Sequence, residues 1–202
     1  MNLDFSMLVT IFIATALINN FVFSMFLGIC PFLGVSRKID MAFGMGCAVT
    51  FVLTLSGLVT WLIVHAVIVP LGGALGLELT FLKNTVFIFV IAAMVQLVEM
   101  YIRKFFPGLY VAFGVFLPLI TTNCAILGAC LLIDMRGYGL VEAAAFSFAA
   151  GLGFAIAITI MAGIREHLVY SDVPQALRGP GITLLTAAML ALAFMGFAGM
   201  IR

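Results

Sequence analysis

Apolar residues fill this chain in long runs separated by short polar clusters, and the runs have the length of membrane crossings. A helix needs about 20 apolar residues to cross roughly 30 Å of hydrocarbon. Runs of that order lie at Ser6–Ser36, Met41–Val69, Thr80–Ile102, Pro107–Ile133, Gly139–Ile164 and Gly181–Ile201. They predict six transmembrane helices in an all-α integral membrane protein, a single membrane domain over residues 1–202. Asp4 stands where a secretory signal would carry basic residues, and no small-residue cleavage site follows, so the first run is expected to stay in the mature chain.

Composition strengthens this reading. With 65% hydrophobic residues, 8% charged residues and a mean hydropathy of +1.34, the chain has too few charges to cover a soluble core. Arg37, Lys38, Arg103, Lys104, Arg165 and Arg178 follow runs one, three and five, whereas Lys83, Arg136 and Arg202 lie on the other side. The positive-inside rule then places both termini outside the cytoplasm.

The polar interruptions repeat. CPFLGVSRKIDM, from Cys30, and CAILGACLLIDM, from Cys124, share Cys, Leu-Gly and Ile-Asp-Met at a constant offset of 94 residues. Ala92-Ala93-Met94 and Ala187-Ala188-Met189 recur at an offset of 95. Two matches in nearly one register argue for a duplicated half, with repeats of about 1–105 and 106–202. Three spans per half make the copies enter from opposite sides, an inverted repeat about an axis in the membrane plane. Such an axis lets Cys30 and Cys124 meet only at mid-depth.

Straight helices would keep the two cysteines apart, since Met7 to Cys30 alone rises about 34 Å. Both segments carry what a broken helix needs. Asn19, Asn20 and Ser24 precede Gly28, Cys30, Pro31 and Gly34, while Pro118, Thr121, Thr122 and Asn123 precede Cys124 and Gly128. Proline removes a donor, glycine loosens the backbone, and Asn or Thr side chains satisfy freed groups. Spans one and four are predicted to be discontinuous near the midplane, with their breaks facing inside the bundle. Small-residue stripes at Ala145, Ala149, Gly153 and Ala157, and at Ala42, Gly46 and Thr50, read as helix packing.

The symmetric thiols are the main chemical candidates. Cys30 and Cys124 suit either a disulfide or half of a four-thiolate iron–sulfur site completed by another chain. Cys47 and Cys130 do not correspond under the offset and read as small apolar residues. Glu99 suggests an ion path, but Arg103 four residues on favours a helical salt bridge. His65 and His167 have no ligand-spaced partners and read as structural, and Arg165–Gly181 reads as a polar loop on the cytoplasmic side. There is no Walker loop and no dinucleotide fingerprint, so nucleotide, hydride and nucleic-acid sites are not expected on this chain.

Several stretches nevertheless point to a family. NNFVFSMFLGICPFLGVSRK, FGVFLPLITTNCAILG, AGIREHLVYSDVPQALRGPGITLLTA and ALAFMGFAG together resemble the A-type membrane subunits of Rnf complexes, ion-translocating ferredoxin:NAD oxidoreductases of the bacterial inner membrane. The E-type subunit of the sodium-translocating NADH:quinone oxidoreductase Nqr is a close sibling and the alternative assignment. A small inverted-repeat transporter without a redox centre is the alternative of a different class. The resemblance implies a six-span translocase subunit that shares an intramembrane 2Fe–2S cluster with a paralogous E-type partner. Cys30 and Cys124 would be this chain's two iron ligands. It further implies partner subunits of the B, C, D and G types carrying FMN, riboflavin and more iron–sulfur clusters, and electron relay coupled to Na⁺ or H⁺ movement.

Overall fold

The computed structural model describes residues 5–36, 38–70, 80–105 and 123–198, and these contain helices and connections with no β-strand. Helix α1 (Phe5–Ile13) continues into a π-helical turn, Ala14–Ile18, and α2 spans Ile29–Val35. Helix α3 (Ile39–Ile63) also ends in a π-helical turn, Val64–Ile68. Then come α4 (Thr80–Phe105), α5 (Cys124–Arg136), α6 (Leu140–Leu168), a 3₁₀ turn at Gln175–Leu177 and α7 (Pro180–Ala198). Ile39–Ala66, Asn84–Tyr101 and Leu140–Leu168 are long and apolar enough to cross a membrane. The predicted stretch from Pro107 to Thr122 lies outside the described residues.

The core is built around α3 and α6, whose contact is the most extensive between any two of these elements. Pairing runs from Trp61 with Tyr138, through Gly57 with Ser147 and Thr50 with Gly151, to Gly46 with Ala155, so the two helices are antiparallel. Glycine makes the approach possible: a Cβ on Gly151 would fall 2.6 Å from the Thr50 Cα, and one on Gly46 would fall 2.9 Å from the Ala155 Cα. Small residues exchange side-chain volume for backbone proximity, the usual basis of helix association in lipid. Met45, Val49 and Leu53 of α3 and Phe146, Phe154 and Ile158 of α6 pack in one buried cluster around this seam. Both predicted stripes are used, but on different neighbours: Gly46 and Thr50 face α6, whereas Gly153 faces Ala16 and Asn20.

The first span is broken, and the break is longer and earlier than the positions of Pro31 and Gly34 suggest. Helical structure stops at Ile18 and resumes at Ile29, so Cys30, Pro31 and Gly34 lie inside α2. Pro31 sits in the first turn of α2, where backbone N–H groups have no helical acceptor, and its missing donor costs little. Asn19 and Asn20 end the upstream helix instead. In the break, the Ser24 N–H donates to the Asn20 carbonyl at 2.8 Å and the Leu27 N–H to the Phe21 carbonyl at 2.9 Å, which satisfies backbone groups locally.

Landmarks on α6 order this chain by depth. Phe12 packs on Phe148, Asn20 and Ala16 meet Gly153, Gly28 meets Phe154, and Leu33 and Ser36 bind Arg165. The first span therefore advances beside α6, halts at one level through the break, and advances again. Gly153 and Phe154 are the fourteenth and fifteenth of the 29 residues of α6, so the break lies against the centre of that helix. Helix α5 starts at this same level and runs toward Tyr138, the end opposite Arg165. Residues 165–168, predicted as loop, form the last turn of α6, from which Arg165 Nη1 donates to the Leu33 carbonyl at 3.0 Å and to Ser36 Oγ at 2.8 Å.

Candidate functional site

The break in the first span and the start of α5, next to which the two cysteines lie, meet beside the centre of α6; the rest of the fourth predicted span lies outside the described residues. Gly28 has φ +82°, a left-handed conformation open to glycine, and its N–H donates to Cys124 Sγ at 2.9 Å. A Cβ on Gly28 would fall 2.8 Å from Phe154 Cε2 and 3.3 Å from Ala125 Cβ, so both conformation and space demand glycine here. Gly128, one turn along α5, takes the Leu27 side chain against its bare Cα. Phe26, exposed beside the break, also has a positive φ of 55°, a conformation uncommon for a bulky residue and frequent at functional sites.

Two asparagines hold this geometry by the same device. Asn20 Oδ1 accepts the Val22 N–H and Asn123 Oδ1 accepts the Ala125 N–H, each at 3.0 Å. Asn123 thereby caps α5, whose first residue is Cys124. Asn20 Nδ2 also donates to the Gly153 carbonyl at 2.7 Å, pinning the first break to the centre of α6. Asn123 Nδ2 is different: it is buried without a hydrogen-bond partner among the described residues.

Cys30 is exposed in the first turn of α2, and Cys124 is half-buried. Neither forms a disulfide; Cys30, Cys47, Cys124 and Cys130 are all free thiols. Among the described residues no three His, Cys, Asp or Glu side chains gather as a metal site. The donor set nevertheless suits iron bound jointly with a second chain. Two thiols lie near the ends of α2 and α5 that meet at the first-span break, a backbone N–H already bonds one sulfur, and an amide donor without a partner among the described residues sits next to that cysteine. Hydrogen bonds to sulfur of this kind tune iron–sulfur potentials.

Residues 8–201 match the Rnf-Nqr family, described as Rnf-Nqr subunit, membrane protein. The chain belongs to this family. Over 194 residues it is 50% identical to the A-type subunit of the ion-translocating oxidoreductase complex of Syntrophotalea carbinolica, covering 96% of this chain and 97% of that one. To the subunits of the same name from Erwinia tasmaniensis and Serratia proteamaculans it is 48% identical over 192 residues, 95% of this chain and 96% of each. This Rnf-Nqr subunit places the other sequence candidates away from the break. Cys47 is exposed on α3 and Cys130 is buried. His65 stacks on Trp61 with ring centroids 4.1 Å apart. Glu99 is half-buried on α4, one helical turn before Arg103. Two features of the site go beyond the sequence expectations: the Gly28 amide as a donor to sulfur, and Arg165 as the anchor of α2. The equivalence of the two cysteine motifs signals the first; nothing in the sequence signals the second.

Proposed function

We propose that this chain is the A-type membrane subunit of a ferredoxin:NAD oxidoreductase of the Rnf type, a redox-driven translocase of Na⁺ or H⁺. It has six spans in two inverted repeats, about 1–105 and 106–202, and both termini lie on the outer side of the bacterial inner membrane. Cys30 and Cys124 supply two thiolate ligands to a 2Fe–2S cluster, and a paralogous E-type subunit supplies the other two. Flavins and further iron–sulfur centres belong to the other subunits. The observation that carries this reading is the Gly28 N–H bond to Cys124 Sγ, which joins the break in the first span to the start of α5 beside the central residues of α6.

When bound, the cluster supplies a one-electron site inside a hydrocarbon layer roughly 30 Å thick. This chain's own residues prepare the place. The Gly28 amide and the N-terminal end of α5 present N–H donors and a positive helix end to the negative charge that iron-bound sulfur carries. Asn20 fixes the first break and Asn123 caps α5, so that these donors are aimed before iron arrives. The exposure of Cys30 leaves that thiol available to a cluster bridging two chains. Helices α2 and α5 leave the break toward opposite ends of the bundle, which suits a site that communicates with both faces.

The test is electron paramagnetic resonance of the purified complex. Cys30→Ala and Cys124→Ala are each expected to abolish one 2Fe–2S signal while the flavin and soluble-domain signals persist. An intact set of signals in both variants overturns the relay reading and favours a transporter without a redox centre.

A further inference from the structure

A polar cavity lies at the Arg165 end of the bundle, away from the cysteines. It is bounded by the last turn of α6, the connection that follows and the first turn of α7, and its volume is about 430 Å³. Arg165, Arg178 and Ser171 line it together, and no Asp or Glu is among its lining residues. Glu166 and Asp172, the acidic residues of the same stretch, lie outside this wall. Arg165 is held in place by its bonds to the Leu33 carbonyl and Ser36 Oγ, both neutral acceptors. Arg178 is exposed, and its side chain makes no hydrogen bond or ion pair among the described residues. Much of the remaining wall is apolar and includes Val169 and Ile182.

This lining suits one kind of ligand. Two cations on the wall of one cavity favour an anion between them, and the planar fork of a guanidinium matches phosphate oxygens in pairs. Ser171 adds a hydroxyl that can donate to the same oxygens. Thr183, also in the wall, is not a donor there, since its Oγ1 donates to the Gly179 carbonyl at 3.2 Å. The positive end of α7 adds a partial charge of the same sign as the two arginines. A water needs roughly 10–15 Å³ of such space, so the cavity has room for a whole phosphate ester.

Depth selects the source of the phosphate. Arg165 lies eleven residues beyond Phe154, the centre of α6, which is about 17 Å by helical rise. With that centre at the midplane, the hydrocarbon ends about 15 Å out and the headgroup layer about 20–22 Å out. Arg165 thus stands at the level of the phospholipid phosphates. Ile182 in the cavity wall shares a face of α7 with Leu185 and Met189, which are exposed, and an acyl chain can run along that face toward the midplane. We infer that Arg165, Arg178 and Ser171 form a binding site for a phosphate group, supplied by the headgroup of an anionic phospholipid at the face predicted to be cytoplasmic. Because Arg165 also holds α2, the occupied site ties a lipid to the helix that bears Cys30.

The experiment titrates the purified, delipidated complex with three probes: short-chain phosphatidylglycerol, diacylglycerol with the same chains, and inorganic phosphate. Native mass spectrometry counts bound molecules, and thermal unfolding reports the stabilisation each gives. Arg178→Gln removes only an exposed cation, so its melting temperature without probe is expected to match the wild type. Its apparent affinity for phosphatidylglycerol at one site is expected to fall about tenfold. Ser171→Ala is expected to lower that affinity less, and Arg178→Lys to recover part of it by restoring charge without the fork. Diacylglycerol binding is expected to be the same in all variants. A loss confined to phosphatidylglycerol supports the site with a lipid as its source, and a loss confined to inorganic phosphate supports it with a soluble source. Wild-type binding of both phosphate probes in Arg178→Gln and in Ser171→Ala overturns the site. A loss for diacylglycerol as large as that for phosphatidylglycerol also overturns it, because the surface then binds acyl chains alone.

Discussion

At Gly28 a single methyl group has nowhere to go. The backbone there is left-handed and the Cβ position falls 2.8 Å from the Phe154 ring, so Gly28→Ala meets strain and overlap together. The expected loss is about 1–3 kcal/mol, read as a lower melting temperature of the solubilised complex. Pairing it with Phe154→Leu is expected to recover the steric part alone, since the φ penalty remains. Asn20 is the second sensitive residue. Asn20→Leu leaves the buried Gly153 carbonyl and the Val22 N–H without the partners they have at 2.7 Å and 3.0 Å. An unpaired buried group costs about 1–3 kcal/mol, so this variant is expected to assemble poorly and to lose the cluster signal even with both cysteines present. Asn20→Asp keeps the acceptor for Val22 and is expected to recover part of the loss, the donor to Gly153 being the missing share.

Among the helices, the α3–α6 seam carries most of the packing, and its glycines set how close the backbones come. Gly151→Leu drives a side chain into the Thr50 Cα, 2.6 Å from where its Cβ would lie. Overpacking of this kind costs about 1–3 kcal/mol, and an earlier midpoint in denaturant unfolding is the expected outcome. Much of this element scale was legible beforehand. Apolar run length located α3, α4, α6 and α7 to within a few residues, because crossing hydrocarbon leaves little freedom in length. The break was legible in kind and misplaced in detail. Proline and glycine look like breakers wherever they occur, yet Pro31 falls in a first turn that has no use for its missing donor. The asparagine pair, which offers the backbone alternative hydrogen bonds, is where the helix ends. The buried hydroxyls of Ser56, Thr60 and Ser147, which have no hydrogen-bond partner among the described residues, were not legible at all. Serine and threonine in apolar helices ordinarily bond their own backbone, as Thr50, Thr54 and Thr159 do, so the sequence does not mark those that do not.

For the molecule as a whole, the two ends differ. Arg165 ties α2 to α6 at one end; Trp61 Nε1 donates to the Tyr138 carbonyl at 2.7 Å at the other. The excess of basic residues at the Arg165 end predicts that it faces the cytoplasm. In intact cells, a cysteine introduced at Met135, which is 80% exposed, is expected to react with a bulky membrane-impermeant maleimide. One introduced at exposed Asp172 is expected to react only after the membrane is opened, and the reverse pattern inverts the topology. Between these ends, α4 and α7 present large apolar side chains such as Phe89, Met189 and Leu192 outward, surfaces suited to lipid or neighbouring proteins of the complex. The bond from Gly28 to Cys124 spans 96 residues, and that separation sets an order of events during biogenesis. A nascent chain that has delivered only its first half to the membrane holds Cys30 but not Cys124, and the Gly28 amide but not the sulfur it bonds. On the proposed reading, the metal site on this chain has no address until the second half has been inserted as well. Iron delivery would then follow membrane insertion, and whatever supplies the iron is expected to meet a folded chain rather than an emerging peptide.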